Sequence, residues 1–217
     1  MTWISRAGRS RVAMVPGIAV LTVACSAAAL ALGPGPAAHA KAEVAVSVAP
    51  TLYVGNDDLA QDTVTPISTA TNKPGKAIKV GQGTLMIAIT PNGKTAYVAN
   101  LNSATVTPIS TATNRPGTPI KVGSGPVWIA ITPNGKTAYV SNVNSDTVTP
   151  IITATNRAGK PIKVGQSPTA SVITPDGKTL YVVNTLSDTV TPISTATNKP
   201  GKAIKVGMAP TWIAITP

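Results

Sequence analysis

Side chains able to carry acid–base, nucleophilic or metal chemistry are scarce in this chain. It holds one histidine, His39, one cysteine, Cys25, and seven acidic residues, Glu43, Asp57, Asp58, Asp62, Asp146, Asp176 and Asp188. A nucleophile needs a base beside it and a zinc ion needs several His or Cys ligands. His39 and Cys25 both fall in an N-terminal stretch with the marks of an export leader, so neither is expected beside the acids. Asp57, Asp58 and Asp62 lie close enough to suggest a weak calcium loop, and a solvated turn accounts for the same residues. Gly81-Gln82-Gly83 and Gly123-Ser124-Gly125 precede strand patterns, not helices, and so are not phosphate loops. The residue types point away from an enzyme, and neither a metal nor a cofactor is expected.

Positive charge is what the chain has in quantity. Eighteen lysines and arginines against seven acids give a formal net charge of +11. Such a surface favours anionic neighbours, and it also serves plain solubility. Arg6, Arg9 and Arg11 open a basic segment, residues 12–32 are apolar, and Ala38-His39-Ala40 supplies a small-x-small cleavage pattern. Residues 1–40 therefore read as a signal peptide, 41–50 as an N-terminal segment or degenerate inner strand, and 51–217 as the folded body, exported to the cell surface or beyond. Two other readings stay open: an uncleaved membrane anchor, and lipid attachment at Cys25. The processed chain has no cysteine to form a disulfide, so packing alone must hold it.

Self-similarity decides the architecture. Val64-Thr65-Pro66-Ile67 returns at Val106, Val148 and Val190, each 42 residues on, and Thr90-Pro91-Asn92-Gly93 returns at Thr132 and, with Asp176, at Thr174. Within one period the turn residues separate strand patterns at 127–132, 137–142, 147–153 and 161–164, with Asn134-Gly135 suited to a tight hairpin. Four strands per unit with no helical periodicity predict an all-β β-propeller of about four blades. It is either an open arc or fragment of a larger propeller, or a four-blade ring closed by residues 211–216 pairing beside Tyr53. Residues 44–48 could instead be the first blade's own inner strand. The prolines at 66, 108, 150 and 192 fall in the third strand, where a bulge or a missing ladder bond is expected. Lys79, Lys121, Lys163 and Lys205 sit in the outer strand, where they oppose edge-to-edge pairing.

With Tyr53-Val54-Gly55-Asn56, Tyr97-Val98-Ala99-Asn100, Tyr139-Val140-Ser141-Asn142 and Tyr181-Val182-Val183-Asn184 in step, residues 51–217 resemble the YVTN β-propeller repeat family. The resemblance implies an exported or cell-surface propeller, commonly seven-bladed, with roles in surface layers, adhesion or ligand binding. One periplasmic type of relative binds single-stranded DNA. The fold is similar to that of lactonases and quinoprotein dehydrogenase subunits as well, but fold alone transfers no chemistry.

Propeller geometry places the loops after strands one and three on one face. These loops hold Lys94, Lys136 and Lys178 with Lys73, Lys76, Arg115, Arg157, Lys160, Lys199 and Lys202, a basic face that Asp176 alone interrupts. The opposite face takes Asp57, Asp58, Asp62, Asp146 and Asp188. On that second face the inner strands begin with Met86, Trp128, Ala170 and Trp212, a position that varies while its neighbours repeat. Trp128 and Trp212, with Asn100, Asn142 and Asn184 at the ends of the Tyr strands, are the candidate ligand contacts. The partners this surface would suit are an anionic envelope polymer, another protein, or single-stranded nucleic acid.

Overall fold

The computed structural model describes residues 49–57 and 62–217; the proposed signal peptide, Val44 to Val48 and Asp58 lie outside them. The described residues form four antiparallel sheets and no α-helix, one sheet per repeat. The first sheet holds β1 (Thr51–Asn56), β2 (Thr63–Ser68), β3 (Lys73–Pro74) and β4 (Ile78–Lys79). The second holds β5 (Thr84–Ile89), β6 (Thr95–Asn100), β7 (Thr105–Ser110), β8 (Arg115–Pro116) and β9 (Ile120–Lys121). The third repeats it as β10 (Pro126–Ile131), β11 (Thr137–Asn142), β12 (Thr147–Ile152), β13 (Arg157–Ala158) and β14 (Ile162–Lys163). The fourth is β15 (Pro168–Ile173), β16 (Thr179–Asn184), β17 (Thr189–Ser194), β18 (Lys199–Pro200) and β19 (Ile204–Lys205). These are four successive propeller blades, as the 42-residue period predicts.

A blade cannot bury its own apolar faces, and the core accordingly lies between blades. Tyr97, Val106 and Ile120 of the second blade pack on Ile129, Val140 and Ile151 of the third. Tyr139, Val148 and Ile162 meet Leu180, Val182 and Ile193 of the fourth in the same way, and Val64 and Ile78 of the first meet Val98 and Ile109 of the second. Coverage on both faces explains why β6 and β11 are buried along most of their length instead of alternating.

The proline expectation is met by its second alternative, the missing ladder bond. Tyr97 pairs with Pro108 and Tyr139 with Pro150 in an unbroken register, so the third strand carries no bulge. The proline nitrogen points outward, and there the outer strand is split into two short pieces that pair at either end of the third strand. Opposite the gap, Gly117 N–H donates to Pro108 O at 2.7 Å, and Gly75, Gly159 and Gly201 repeat the bond. A Cβ at Gly117 would stand 3.2 Å from Pro108 Cγ, which is why a Pro-Gly spacing of nine residues runs through every blade. The bulges occur instead in the inner strand, between Thr84 and Met86, Pro126 and Trp128, and Pro168 and Ser171.

The four-blade ring closed through the terminal segment does not form. Among the described residues β1 pairs only with β2, and Thr211 to Pro217 belong to no ladder. Pro210 and the residues before it nevertheless follow the path of every other blade junction. Val206 N–H donates to Asp188 O at 3.0 Å, as Val122 does to Ala104 O and Val164 to Asp146 O.

Candidate functional site

Hydrogen bonds fix which loops share a face. Thr111 donates its hydroxyl to Gly93 O at 2.6 Å and its N–H to Lys94 O at 3.1 Å, tying the loop after the third strand to the hairpin after the first. Thr153 and Thr195 make the same pair of bonds to Gly135 and Lys136 and to Gly177 and Lys178. At the other end, Leu101 N–H and Asn102 N–H reach Gly83 O and Gln82 O, tying the second loop to the blade junction. The two families of loops are therefore gathered at opposite ends of each sheet, as the sequence predicts.

Three acids of the second face, Asp62, Asp146 and Asp188, are consumed by the fold. Asp146 Oδ1 accepts from Ser167 N–H at 2.8 Å and Asp188 Oδ1 from Ala209 N–H at 2.8 Å. Asp62 accepts from Gly83 N–H. Each carboxylate thus latches one blade to the start of the next, a charge-assisted bond. The equivalent position in the second blade is Ala104, held at φ 51. Of the suggested calcium loop, Asp62 is buried at 6% exposure and accepts at a blade junction, and Asp58 lies outside the described residues. No cluster of three or more metal-ligating side chains occurs among the described residues.

Asn100, Asn142 and Asn184, the other candidate ligand contacts, lie in the interior. All three are fully buried. Asn100 Nδ2 donates to Thr105 Oγ1 at 3.0 Å and Thr107 Oγ1 at 2.9 Å, and Asn142 and Asn184 hold the corresponding threonines. They clamp the second strand to the third through Nδ2, while each Oδ1 is buried without a hydrogen-bond partner. A Cβ on Gly81 or Gly165 would stand within 2.9 Å of the Asn100 or Asn184 side chain, so the glycine at each junction is required for this clamp. The repeated tyrosines are interblade struts. Tyr97 OH donates to Asn156 Oδ1 at 2.6 Å and Tyr139 OH to Asn198 Oδ1 at 2.8 Å, each reaching the next blade. Burial pushes both hydroxyls above the ordinary tyrosine value.

The cations are not consumed. Lys94, Lys136, Lys178, Arg115, Arg157 and Lys199 are all exposed. Lys178 meets Asp176 at 3.4 Å, and both ends of that pair face solvent. Asp176 is held below the usual carboxylate range, chiefly by the Thr174 hydroxyl and the Lys178 N–H. Where neighbouring blades meet at the rim, grooves open beside the basic face. One of about 510 Å³ is lined by Lys76, Lys79 and Arg115, and a second of about 460 Å³ by Lys160, Lys163 and Asn198.

At the opposite end, Met86, Trp128, Ala170 and Trp212 line one cleft of about 480 Å³. The small Ala170 lets the indoles of Trp128 and Trp212 meet across it, edge to face, with centroids 5.6 Å apart. Trp128 Nε1 donates to Ser171 O at 2.8 Å, while Trp212 is 76% exposed.

Fold and surface together define a propeller-type all-β repeat protein with a basic end and an aromatic cleft. No protein-family model and no curated protein matches the chain. Solved structures do. The chain is similar to Kuenenia stuttgartiensis hydrazine synthase at 29% identity and a TM-score of 0.56, over 59% of this chain and 38% of that one. A functionally unknown protein from Desulfotomaculum acetoxidans matches at 23% identity and a TM-score of 0.56, over 67% and 48%. U3-55K matches at 12% identity and 0.53, over 58% and 41%. The chain spans less than half the length of each, and the last two likenesses concern the fold alone.

Proposed function

We propose that this chain is an exported, non-enzymatic YVTN-type propeller module whose basic face binds an anionic polymer of the cell envelope. The observation that carries this reading is the unequal fate of the two charges. The carboxylates at Asp62, Asp146 and Asp188 are spent on backbone N–H groups at blade junctions. The lysines and arginines of the other end stand exposed in a repeating array. An array of weak contacts suits a long polyanion, which engages several of them at once.

Single-stranded nucleic acid is less well served. Such sites interleave stacking aromatics with the cations that follow the backbone. Here the indoles open at the end of the blades opposite to Lys94, Lys136 and Lys178, so the two are not interleaved.

The test is co-sedimentation with purified cell wall and with polyphosphate across a salt series. Wild-type retention should fall steeply as salt rises, and the triple variant K94Q/K136Q/K178Q should bind more weakly with a shallower salt slope. Retention indifferent to salt, or unchanged in the triple variant, would remove the electrostatic mechanism.

A further inference from the structure

At the rim, where one blade meets the next, a recurring group of donors faces a groove with no acid in it. The groove between the first and second blades is lined by Lys76 and Lys79 of one and by Asn114 and Arg115 of the other. The groove between the third and fourth is lined by Lys160 and Lys163 of one and by Asn198 of the other. No carboxylate lines either groove, and none of these cations is paired with an acid among the described residues. The asparagine is a fixed donor in both. Asn198 Oδ1 accepts from the Tyr139 hydroxyl at 2.8 Å, and Asn114 Oδ1 from that of Tyr53 at 2.7 Å. With the oxygen of the planar amide spent on the interblade strut, Nδ2 is left to donate. It meets no acceptor among the described residues.

We propose that each of these two grooves seats one phosphate group, held by its pair of lysines and by the asparagine amide. A tetrahedral phosphate turns charged oxygens in several directions, which suits donors arriving from two blades; a carboxylate has two oxygens in one plane. Arg115 gives the first groove a planar fork that can take two oxygens at once, so that seat is the tighter. The middle junction supplies an internal contrast. It has Lys121, Asn156 and Arg157, and Tyr97 holds Asn156 in the same way. Thr118, however, stands where the other junctions have Lys76 and Lys160, so this seat lacks one of its two lysines and is weak. Tyr139, only 1% exposed, is a positioning residue. It touches no anion and fixes which end of Asn198 is free to donate. The inference rests on the polyanion reading for the sign of the partner's charge, and adds the chemical group and its seat.

Calorimetric titration of the full chain with inorganic phosphate at constant ionic strength tests it. Two saturable sites are expected; K76Q/K79Q and K160Q/K163Q should each remove one. T118K should add a third, and because Thr118 is exposed the gain asks nothing of the core. Y139F alters no charge, yet should weaken the site beside Asn198 by about fivefold. N198G keeps the left-handed backbone at φ 55 and should cost as much, and Y139F/N198G should cost no more than either alone, since the tyrosine acts only through the amide. Dimethyl phosphate filling the same sites assigns them to phosphodiester links of a polymer, and filling by inorganic phosphate alone assigns them to free phosphate. The proposal is overturned if acetate binds as tightly as phosphate, if the titration does not saturate, or if the number of sites is unmoved by T118K and K160Q/K163Q. Two phosphate sites with wall retention unchanged in K94Q/K136Q/K178Q would remove the polymer reading alone. Salt-sensitive wall retention without a saturable phosphate site would remove this one alone.

Discussion

The junction after the second blade lacks a part that the other junctions have, and replacing it should stabilise the protein. Asp62, Asp146 and Asp188 each accept a backbone N–H from the blade that follows, but the second blade offers Ala104 to Gly125. Ala104 also sits at φ 51, a conformation that costs an alanine about 1 kcal/mol and that Asp or Asn tolerates better. A hydrogen bond to a charged group contributes about 1.5–3 kcal/mol when buried, and less at a half-buried loop. Ala104→Asp should therefore gain about 1–2 kcal/mol, or about 2–8 °C in melting temperature for a chain of this size. Ala104→Asn relieves the backbone without the charge and should gain roughly half as much. In the mirror experiment, Asp146→Ala should lose a comparable amount. Thermal and urea unfolding followed by far-UV circular dichroism would measure all three. If Ala104→Asp gives no gain while Asp146→Ala is also silent, the carboxylates are not latches and the account of the junctions fails.

Three further outcomes follow from the same geometry. Asn142→Ala removes the clamp on Thr147 and Thr149 in a fully buried site, and should cost about 2–4 kcal/mol in urea unfolding. Gly165→Ala would place a Cβ 2.7 Å from Asn184 Cγ; steric relief requires moving the clamp, so a loss of about 1–3 kcal/mol is expected. Tyr97 and Tyr139 titrate above their ordinary value because burial disfavours the phenolate. A raised folded value means full stability below about pH 10 and a decline above it, as the unfolded chain ionises first. The urea midpoint should fall in that alkaline range, and Tyr97→Phe should shrink the fall while costing about 1 kcal/mol at neutral pH.

The architecture was legible because a fixed period leaves little freedom: Asn134-Gly135 marks one hairpin, and 42-residue spacing copies it around the fold. The second strand of the third blade, 137–142, matches its predicted limits, since polar turn residues bound it on both sides. The outer strand was harder to read. Of the run Pro161 to Val164 only Ile162–Lys163 is strand, β14, and the other outer piece, β13 at Arg157–Ala158, lies in a stretch that reads as a turn. The site residues divide along the same line. Trp128 and Trp212 stood out because they vary where their neighbours repeat, a signal that does not depend on contacts. For Asn100, Asn142 and Asn184 strict repetition looks the same whether it serves a ligand or a threonine clamp, and only the structure shows the clamp. The Asp latches were visible only as scattered acids. Their common spacing, 42 residues from Asp146 to Asp188 and twice that from Asp62 to Asp146, was the missed clue, hidden by Ala104 breaking the series.

Repetition also bears on how such a surface would bind. A cation in one loop reappears in the next blade, so Lys94, Lys136 and Lys178 present the same group from three neighbouring hairpins. Each exposed contact is weak in water at physiological salt. A polymer long enough to touch all three gains by multiplication, because after the first contact the others form at high local concentration. The consequence can be measured by a length series of polyphosphate. Affinity should climb steeply with chain length until the anion spans the three hairpins, then level off. Lys136→Gln, removing the middle contact, should weaken the long polymer by several-fold and leave the shortest oligomer nearly unaffected. If short and long anions bind alike, or if the middle lysine is no more costly for one than for the other, the cations act singly and the array has no role in binding.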